Sequence, residues 1–293
     1  MGRITINANG IYPGHKLRGK ERYAKLYHYT SFESFVKIWL SKTLKFSSVK
    51  NVNDVLESAI KTQAATFPQM PLMDAYIDIR PQFRQISLTM DYDSYVKGCM
   101  SPCMWGYYAD KKKGVCIELD YDKLPFSKST IKGPVIYKED IPDATYLPAE
   151  LTTINQLLSF MRKNARREFL TKHISWKGEN EYRIVSREDE FLDISQAITA
   201  VYLTSYDSDE CIFVEKLVGD AVPVKYLHYI SEAGTGYVRP VMTNTKSIRQ
   251  QWEAAKNNPD NALVMMTDQA RAFYDQHKDD PDYPLIIKEF RIK

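Results

Sequence analysis

Residues 26–58 have the sequence LYHYTSFESFVKIWLSKTLKFSSVKNVNDVLES, in which strand-like and helix-like segments follow one another. LYHYT is rich in aromatic residues and alternates as a strand does, and Ser31 is suited to cap the helix that follows. Phe32, Phe35 and Trp39 then recur at helical spacing. A short strand, LKFSS, comes next, and the remainder has the periodicity of a second amphipathic helix. The stretch therefore predicts a fold that mixes strands and helices.

The chain beyond this stretch continues the mixture. Valine, isoleucine and aromatic residues at alternating positions predict further strands, and apolar residues at helical spacing predict further helices. The predicted strands are 83–90, 114–121, 133–140, 181–187, 198–205, 224–231 and 236–242; the predicted helices are 72–79, 149–172 and one within 207–218, with a helical turn at 102–111. This order is not a strict βαβ alternation. We therefore predict an α+β fold with a mixed, largely antiparallel sheet and flanking helices.

Composition predicts three regions along the chain. Residues 1–24 are polar, contain Gly and Pro, and lack apolar periodicity, so they are expected to form an arm. Residues 25–243 form the expected α+β main domain. Residues 244–293 are expected to be a helical C-terminal module, with two helices divided by NNPDN.

The bulk composition excludes several classes of protein. Hydrophobic residues make up 44% of the chain and charged residues 26%, which is typical of a globular protein. The net charge of +3 is too small to predict nucleic-acid binding by itself. The four cysteines lack the C-x-x-C spacing of zinc or redox sites and are expected to be reduced thiols. Since no signal peptide or membrane span is apparent, we expect a cytoplasmic protein with no membrane partner. The sequence does not determine the oligomeric state.

Several familiar catalytic motifs are absent from the sequence. It contains no Walker loop, no G-x-G-x-x-G, no H-E-x-x-H and no G-x-S-x-G. The usual nucleotide-binding loops, zinc sites and hydrolase triads are therefore not predicted, and no metal site is assigned.

The first strand carries the first candidate site residues. His28 and Thr30 share one face of a strand, next to Tyr29, and Ser47 follows in the LKFSS strand. A histidine in this position is able to donate to a ligand hydroxyl, although a structural histidine with its hydrogen bonds satisfied also fits.

A second group of candidates lies in GENEYR. If this segment is a strand, Glu179, Glu181 and Arg183 share one face at positions i, i+2 and i+4. Adjacent carboxylates repel each other unless a cation or ligand lies between them, and Arg183 is positioned to supply a cation. A solvent-facing ion pair is the alternative. Asp54 and Glu57 also stand out, although a cap of the next helix by Asn53 or Asp54 is the alternative explanation.

Three segments together resemble a bacterial and phage family, the domain-of-unknown-function family 2971. The matching segments are the stretch at 26–58, MWGYYADKKKGVCIELD at 104–120 and WKGENEYRIV at 176–185. The resemblance covers roughly residues 26–205 in the right order. The family often has histidine before the tyrosine of its M-W-x-H-Y-A-D stretch, whereas this chain has Tyr107.

The layout is also similar to that of ADP-ribosyltransferases, in which a first-strand histidine or arginine, a middle aromatic or serine and a late glutamate surround NAD. This resemblance implies an NAD cofactor. It implies that Glu181 binds the ribose hydroxyl and stabilises developing charge, while Glu179 orients the acceptor. It further implies the following cofactor-binding set: His28 and Thr30 on the nicotinamide ribose, Tyr108 or Trp105 stacked on the nicotinamide, and Tyr29, Ser47 and Arg183 nearby.

The resulting functional prediction is an NAD-consuming transferase or glycohydrolase that modifies a protein or nucleic acid, in toxin or phage-defence biology. The alternative is a non-catalytic module that binds nucleic acid or protein through its aromatic and basic residues. A nuclease with Asp54, Glu57 and Glu179 around Mg²⁺ is a third hypothesis, for which no recognisable spacing is present.

Overall fold

The computed structural model describes residues 5–7, 10–12, 19–48, 62–63, 70–94, 96–139, 145–148, 150–204, 209–231 and 238–245. The chain divides into two compact units, residues 1–242 and 243–293. Residues 246–293, where the C-terminal helices are predicted, lie outside the described residues. Most of the second amphipathic helix, predicted over 51–65, also lies outside them, and its residues 62–63 form a short strand instead. None of the described helices has the length and apolar character needed to cross a membrane.

The described strands and helices are numbered here in chain order. The strands are β1 (Thr5–Asn7), β2 (Gly10–Tyr12), β3 (Lys25–Thr30), β4 (Thr43–Lys45), β5 (Ser47–Ser48), β6 (Thr62–Gln63), β7 (Arg84–Met90), β8 (Val115–Asp120), β9 (Ile131–Pro134), β10 (Ile136–Lys138), β11 (Thr145–Tyr146), β12 (Thr171–His173), β13 (Glu181–Ser186), β14 (Phe191–Asp193), β15 (Ile198–Leu203), β16 (Val224–Ser231) and β17 (Val238–Asn244). The α-helices are α1 (Phe32–Ser41), α2 (Met70–Ile79), α3 (Pro102–Tyr108), α4 (Ile154–Lys163), α5 (Ala165–Phe169) and α6 (Asp209–Val218). Short 3-10 helices include Gly98–Met100, Asp110–Lys112 and Ile174–Glu179.

A nine-stranded sheet organises the main unit. Its strand order is β17-β16-β15-β8-β3-β7-β13-β9, and β5 also pairs with β7. β3 is antiparallel to β8 and β7, and β13 is antiparallel to β7 and β9, whereas β15 and β16 run parallel. The predicted α+β class with a mixed, largely antiparallel sheet is confirmed.

Alternation along the strands gives the sheet two buried faces. In β8, Val115, Ile117 and Leu119 join a core that includes Phe35 and Trp39 of α1, while Cys116 joins a different core around Trp105. Full burial of each large apolar side chain stabilises the fold by about 1.5–3 kcal/mol. Because both faces are covered, the strands carry apolar residues on both sides.

Helix α1 forms where its sequence predicts it. The Ser31 side chain accepts a hydrogen bond from the Ser34 backbone N–H, which satisfies one of the free amides of the first turn. Lys42 ends the helix in a left-handed conformation at φ 55°, and its backbone N–H donates to the carbonyl of Ile38. The cap and the apolar spacing are both local signals, so the sequence is sufficient to predict this element.

Gly114 brings α3 close to β3. A Cβ on this residue would lie 2.1 Å from the carbonyl oxygen of Thr30, so no other side chain fits there without a shift of the backbone. The turn before it has three consecutive residues at positive φ, namely Asp110, Lys111 and Lys112. The close approach holds the C-terminal end of α3 beside the middle of the sheet.

Three predicted elements are wrong. One of them, LKFSS, is two short strands, β4 and β5, which pair with β14 and β7. The single helix predicted over 149–172 is instead α4, α5 and the strand β12, because the chain leaves the helical conformation at Asn164, whose side-chain amide donates to the carbonyl of Phe160. The strand predicted over 133–140 is two short strands, β9 and β10, which pair with different partners.

Candidate functional site

The site begins where two neighbouring strands separate. Within the described residues, β3 and β7 pair at Leu26–Met90 and Tyr27–Thr89 alone, although both strands continue further. Further along, β7 pairs with β5, which places Ser47 opposite Gln85. A cavity of about 450 Å³ opens in this fork. Because β3 has no strand partner on this side beyond Tyr27 in the described part of the chain, residues along it are able to border the same opening.

The cavity wall combines residues from both strands of the fork with residues from α3 and from the segment before β13. It is lined by Tyr27, His28, Tyr29, Lys45, Ser47, Gln85, Ile86, Ser87, Leu88, Thr89, Met104, Tyr107, Tyr108, Lys172, Glu179 and Glu181. Its size is in the range of pockets that hold small molecules and cofactors. His28 and Glu181, which are far apart in the sequence, therefore border one hollow.

Glu181 is fixed by two hydrogen bonds from one arginine. Arg183 Nε lies 2.8 Å from Glu181 Oε1, and Arg183 Nη2 lies 2.8 Å from Oε2. The third guanidinium nitrogen, Nη1, donates to the carbonyl of Phe169 at 2.8 Å. Both side chains are almost fully buried, with 3% of Glu181 and 2% of Arg183 exposed. Such a bidentate pair holds the carboxylate in a single orientation.

Lys172 connects the two carboxylates. Its Nζ lies 2.6 Å from Glu179 Oε2 and 3.7 Å from Glu181 Oε2, and the ammonium stands 4.6 Å from the centre of the Trp176 ring. The other Glu179 oxygen accepts a hydrogen bond from Tyr108 Oη at 2.5 Å. Two buried acids are thus balanced by two buried cations. Lys172 pairs with Glu179, whereas Arg183 pairs with Glu181.

The environment of Glu181 sets its charge. Burial by itself would raise the pKa of Glu181, but the charge and hydrogen bonds of Arg183, together with Lys172 and Ser87, lower this pKa to about 2. The carboxylate is therefore ionised at neutral pH. A carboxylate that is fixed and buried interacts more strongly with a nearby positive charge than the same carboxylate at the surface does, because the protein interior screens charge less than water.

A left-handed turn at Asn180 brings both acids to the cavity. Asn180 has φ 46° and ψ 51°, and its side-chain amide donates to the carbonyls of Met90 at 2.9 Å and Asp91 at 3.0 Å. Arg22 donates to its side-chain oxygen at 3.1 Å. Glu179 therefore ends a 3-10 helix and does not belong to a strand, which corrects the predicted i, i+2 arrangement.

His28 is an uncharged member of the wall. Desolvation lowers the pKa of His28 to about 4, against a smaller opposing effect of a hydrogen bond with the Ser87 backbone. Its Nδ1 is enclosed and has no hydrogen-bond partner among the described residues. A buried polar atom without a partner is costly, so this nitrogen is a natural position for a ligand hydroxyl or amide.

The remaining predicted site residues divide into two groups. Tyr29, Ser47 and Tyr108 line the cavity. Thr30 and Trp105 are not part of its wall: Thr30 is 7% exposed, and Trp105 donates from Nε1 to the carbonyl of Cys99 at 2.8 Å while its ring packs edge-on against Tyr29. Arg183 lies behind the wall and acts through Glu181.

The nuclease hypothesis receives no support from the described part of the chain. Asp54 and Glu57 lie outside the described residues. Among the described residues, no three His, Cys, Asp or Glu side chains come together as a metal ion would require. Glu179 is instead neutralised by Lys172.

Sequence reasoning missed Lys172, Gln85 and Thr89. Lys172 gives no signal, because it resembles any other lysine in a basic stretch and reaches Glu179 only through the intervening turn. Gln85, Ser87 and Thr89 do give a signal. They alternate with Ile86 and Leu88, which marks a polar face on an otherwise apolar central strand.

Residues 104–184 match a family model whose description is "Protein of unknown function (DUF2971)". Over these residues the chain is similar to the DUF2971 family. The family resemblance seen in the sequence is confirmed over this part of the chain. The DUF2971 segment contains α3, Lys172, Glu179, Glu181 and Arg183, whereas the first-strand residues, including His28, precede it. No curated protein and no solved structure matches the chain.

Proposed function

We propose that this protein binds NAD in the cavity and cleaves the bond between nicotinamide and ribose, as an ADP-ribosyltransferase-like enzyme or NAD glycohydrolase. The observation that carries the proposal is Glu181, a buried and ionised carboxylate in the wall of the cavity that His28 also borders. Buried titratable groups with a shifted pKa are concentrated at functional sites, and here two of them share one hollow.

The chemistry of the bond explains why an ionised acid is useful. Departure of nicotinamide leaves positive charge on the ribosyl carbon, as in the cleavage of a glycoside. A fixed carboxylate beside that carbon stabilises the transition state more than the substrate, which has less charge there. A carboxylate offers about four acceptor sites, of which Arg183 uses two and Ser87 uses one, so a position remains for a ribose hydroxyl.

The other wall residues supply binding and orientation. His28 Nδ1 is available to accept a hydrogen bond from a ribose hydroxyl, because the imidazole is neutral at physiological pH. The Tyr108 ring borders the cavity and is suited to stack on nicotinamide, a role for which Trp105 lies too far behind the wall. Glu179, held by Tyr108 and Lys172, is the carboxylate that orients the acceptor.

The test is release of nicotinamide from NAD by the purified protein. We expect Glu181→Gln to lower the release rate by roughly 100-fold or more, the usual cost of losing one electrostatic contact to a transition state. Folding is checked by circular dichroism and thermal unfolding. Equal turnover by the folded variant, or no nicotinamide release by the wild-type protein, refutes the proposal.

Glu168→Gln is the matched control. Glu168 is also buried, accepts a hydrogen bond from Tyr76 at 2.6 Å and pairs with Arg167 at 3.3 Å, but it does not line the cavity. This variant loses a buried charge of the same kind and is expected to keep the wild-type turnover per folded molecule. If Glu168→Gln lowers turnover as much as Glu181→Gln does, then the effect comes from the loss of any buried carboxylate and is not specific to the cavity.

The acceptor and setting follow from the same proposal. Addition of cell extract together with labelled NAD distinguishes transfer to a protein or nucleic acid from plain hydrolysis. The bacterial and phage family resemblance favours a role in toxin or phage-defence biology. Four free thiols support action in the cytoplasm, where cysteines remain reduced.

A second candidate function is nucleic-acid binding without catalysis. Tyr107 on α3 is 74% exposed at the cavity, and the neighbouring Lys111, Lys112 and Lys113 are all exposed. Exposed aromatic and basic side chains bind single strands by stacking and by contact with phosphates. This candidate predicts RNA or DNA binding that weakens steeply with salt, and no response to NAD.

A further inference from the structure

The cavity is elongated along one strand. Five consecutive residues of β7, from Gln85 to Thr89, border it, and this length of strand spans about 13 Å. Thr89 lies opposite Glu181 in the pairing of β7 with β13, whereas Gln85 lies opposite Ser47 in the pairing with β5. The two ends of the cavity therefore have different walls.

The two ends also differ in charge. At the Glu181 end, the two acids are matched by Lys172 and by Arg183 behind the wall. At the Ser47 end, Lys45 borders the cavity, and within the described residues its ammonium has no carboxylate partner and no hydrogen bond. Among the described residues that border the cavity, the Glu181 end has acids with cations beside them, and the Ser47 end has a positive charge with no acid beside it.

Unused polar groups accompany this positive charge. Gln85 is 6% exposed, and its side-chain amide makes no hydrogen bond with any residue that the structure describes. Because Gln85 lines the cavity, this amide is able to bond to a ligand there. Ser47, exposed at the rim across from Gln85, adds a hydroxyl that is also unused within the described residues.

We propose that Lys45, Ser47 and Gln85 bind the phosphate groups of the ligand, so that the cavity selects phosphorylated nucleotides over the corresponding nucleosides. Lysine is a suitable point charge for phosphate, and amide and hydroxyl groups donate to phosphate oxygens. The inference rests on the proposed function, in that the nicotinamide ribose of NAD would lie at the Glu181 end and its pyrophosphate at the Lys45 end.

The test compares ligands that differ in phosphate. Isothermal titration calorimetry with ADP-ribose, inorganic pyrophosphate and nicotinamide riboside measures affinity without turnover of NAD. Lys45→Met is expected to weaken ADP-ribose and pyrophosphate binding roughly tenfold or more and to leave nicotinamide riboside unchanged, because one charge-assisted contact is lost. Lys45→Arg is expected to retain most of the affinity for pyrophosphate.

Lys123→Met is the matched control, since Lys123 is exposed, makes no ion pair within the described part of the chain and does not line the cavity. The inference is overturned if Lys45→Met binds ADP-ribose as the wild type does, or if Lys123→Met loses as much affinity as Lys45→Met. It is also overturned if the wild-type protein binds neither ADP-ribose nor pyrophosphate.

The result separates the two proposals. Nicotinamide release from NAD with an unchanged KM in Lys45→Met would contradict the phosphate site and leave the proposed reaction standing. Pyrophosphate binding that depends on Lys45, without any nicotinamide release by the wild type, would support the phosphate site and contradict the reaction.

Discussion

Arg183 and Glu181 form a closed two-bond pair, in which Nε and Nη2 of the arginine each lie 2.8 Å from one carboxylate oxygen. Both residues belong to β13 and point to the same side of the sheet, opposite Ser87 and Thr89 of β7. Removal of Arg183 leaves the Glu181 carboxylate charged and buried without its two-bond partner, which costs about 3–5 kcal/mol. The pair therefore couples the stability of the main unit to the charge of the site.

The first prediction concerns stability in acid. The pKa of Glu181 is about 2 in the folded protein, against an ordinary value of 4.5. A lowered carboxyl pKa contributes stability that is fully present above the unfolded pKa and is lost as the pH falls toward the folded one. The free energy of unfolding is thus expected to fall by about 3 kcal/mol between these two pH values through this group alone. The measurement is urea unfolding across this range, and Glu181→Gln should have a shallower slope. Parallel curves for the two proteins would disprove the assignment.

The second prediction concerns Lys172. Lys172→Met removes the cation that lies 2.6 Å from Glu179 and is expected to destabilise the protein by about 3 kcal/mol, since a buried acid is left without its partner. Lys172→Met combined with Glu179→Gln should recover much of this loss, and thermal or urea unfolding of all four proteins in the cycle gives the coupling energy. Strict additivity of the two substitutions would show that the pair contributes nothing.

The third prediction concerns the turn at Asn180. Asn180→Gly keeps access to the left-handed conformation but loses the side-chain hydrogen bonds to Met90, Asp91 and Arg22. Asn180→Ala loses them too and adds roughly 1–2 kcal/mol of backbone strain at positive φ. The alanine variant should therefore be the less stable of the two in urea unfolding. A glycine variant that is as unstable as the alanine variant would assign the whole effect to the side chain.

The fourth prediction concerns His28. Because the pKa of His28 is lowered to about 4, the imidazole is neutral in the folded protein at neutral pH, while in the unfolded chain it takes up a proton near its ordinary pKa of 6.5. Stability from this group is present above the unfolded pKa and decreases as the pH falls toward about 4. His28→Gln should remove this part of the pH dependence. NAD binding by the wild type is expected to be flat between about pH 5 and 8, and a midpoint near neutrality would contradict the neutral imidazole.

Local signals in the sequence are sufficient to predict much of the fold. The cap at Ser31 and the apolar spacing after it predict α1, and the alternation of VCIELD predicts β8. Helix α4 is predicted too long, because the break at Asn164 depends on a side-chain hydrogen bond that apolar periodicity does not reveal. The left-handed turn at Asn180 was missed for a similar reason, since its partners Met90 and Asp91 lie far away in the sequence.

The candidate site was predictable in part. Glu181 and His28 stood out as polar groups in apolar strands, and both border the cavity. The contribution of Lys172 depends on the path of the chain between β12 and β13, and that of Lys45 depends on how β4 and β5 meet β7. These contacts are set by non-local pairing, which single-sequence patterns do not contain. The exclusion of Thr30 and Trp105 from the wall has the same origin.

The fork between β3 and β7 has a mechanical consequence. In the described part of the sheet, these two strands are joined by two residue pairs. Separation of the part of the sheet on the β3 side from the part on the β7 side therefore breaks few hydrogen bonds between strands. A ligand that binds His28 on the β3 side of the fork and Gln85 or Glu181 on the β7 side would link the two parts of the sheet. A bound ligand should therefore slow amide hydrogen exchange in the strands on both sides of the fork, because it makes their separation less frequent.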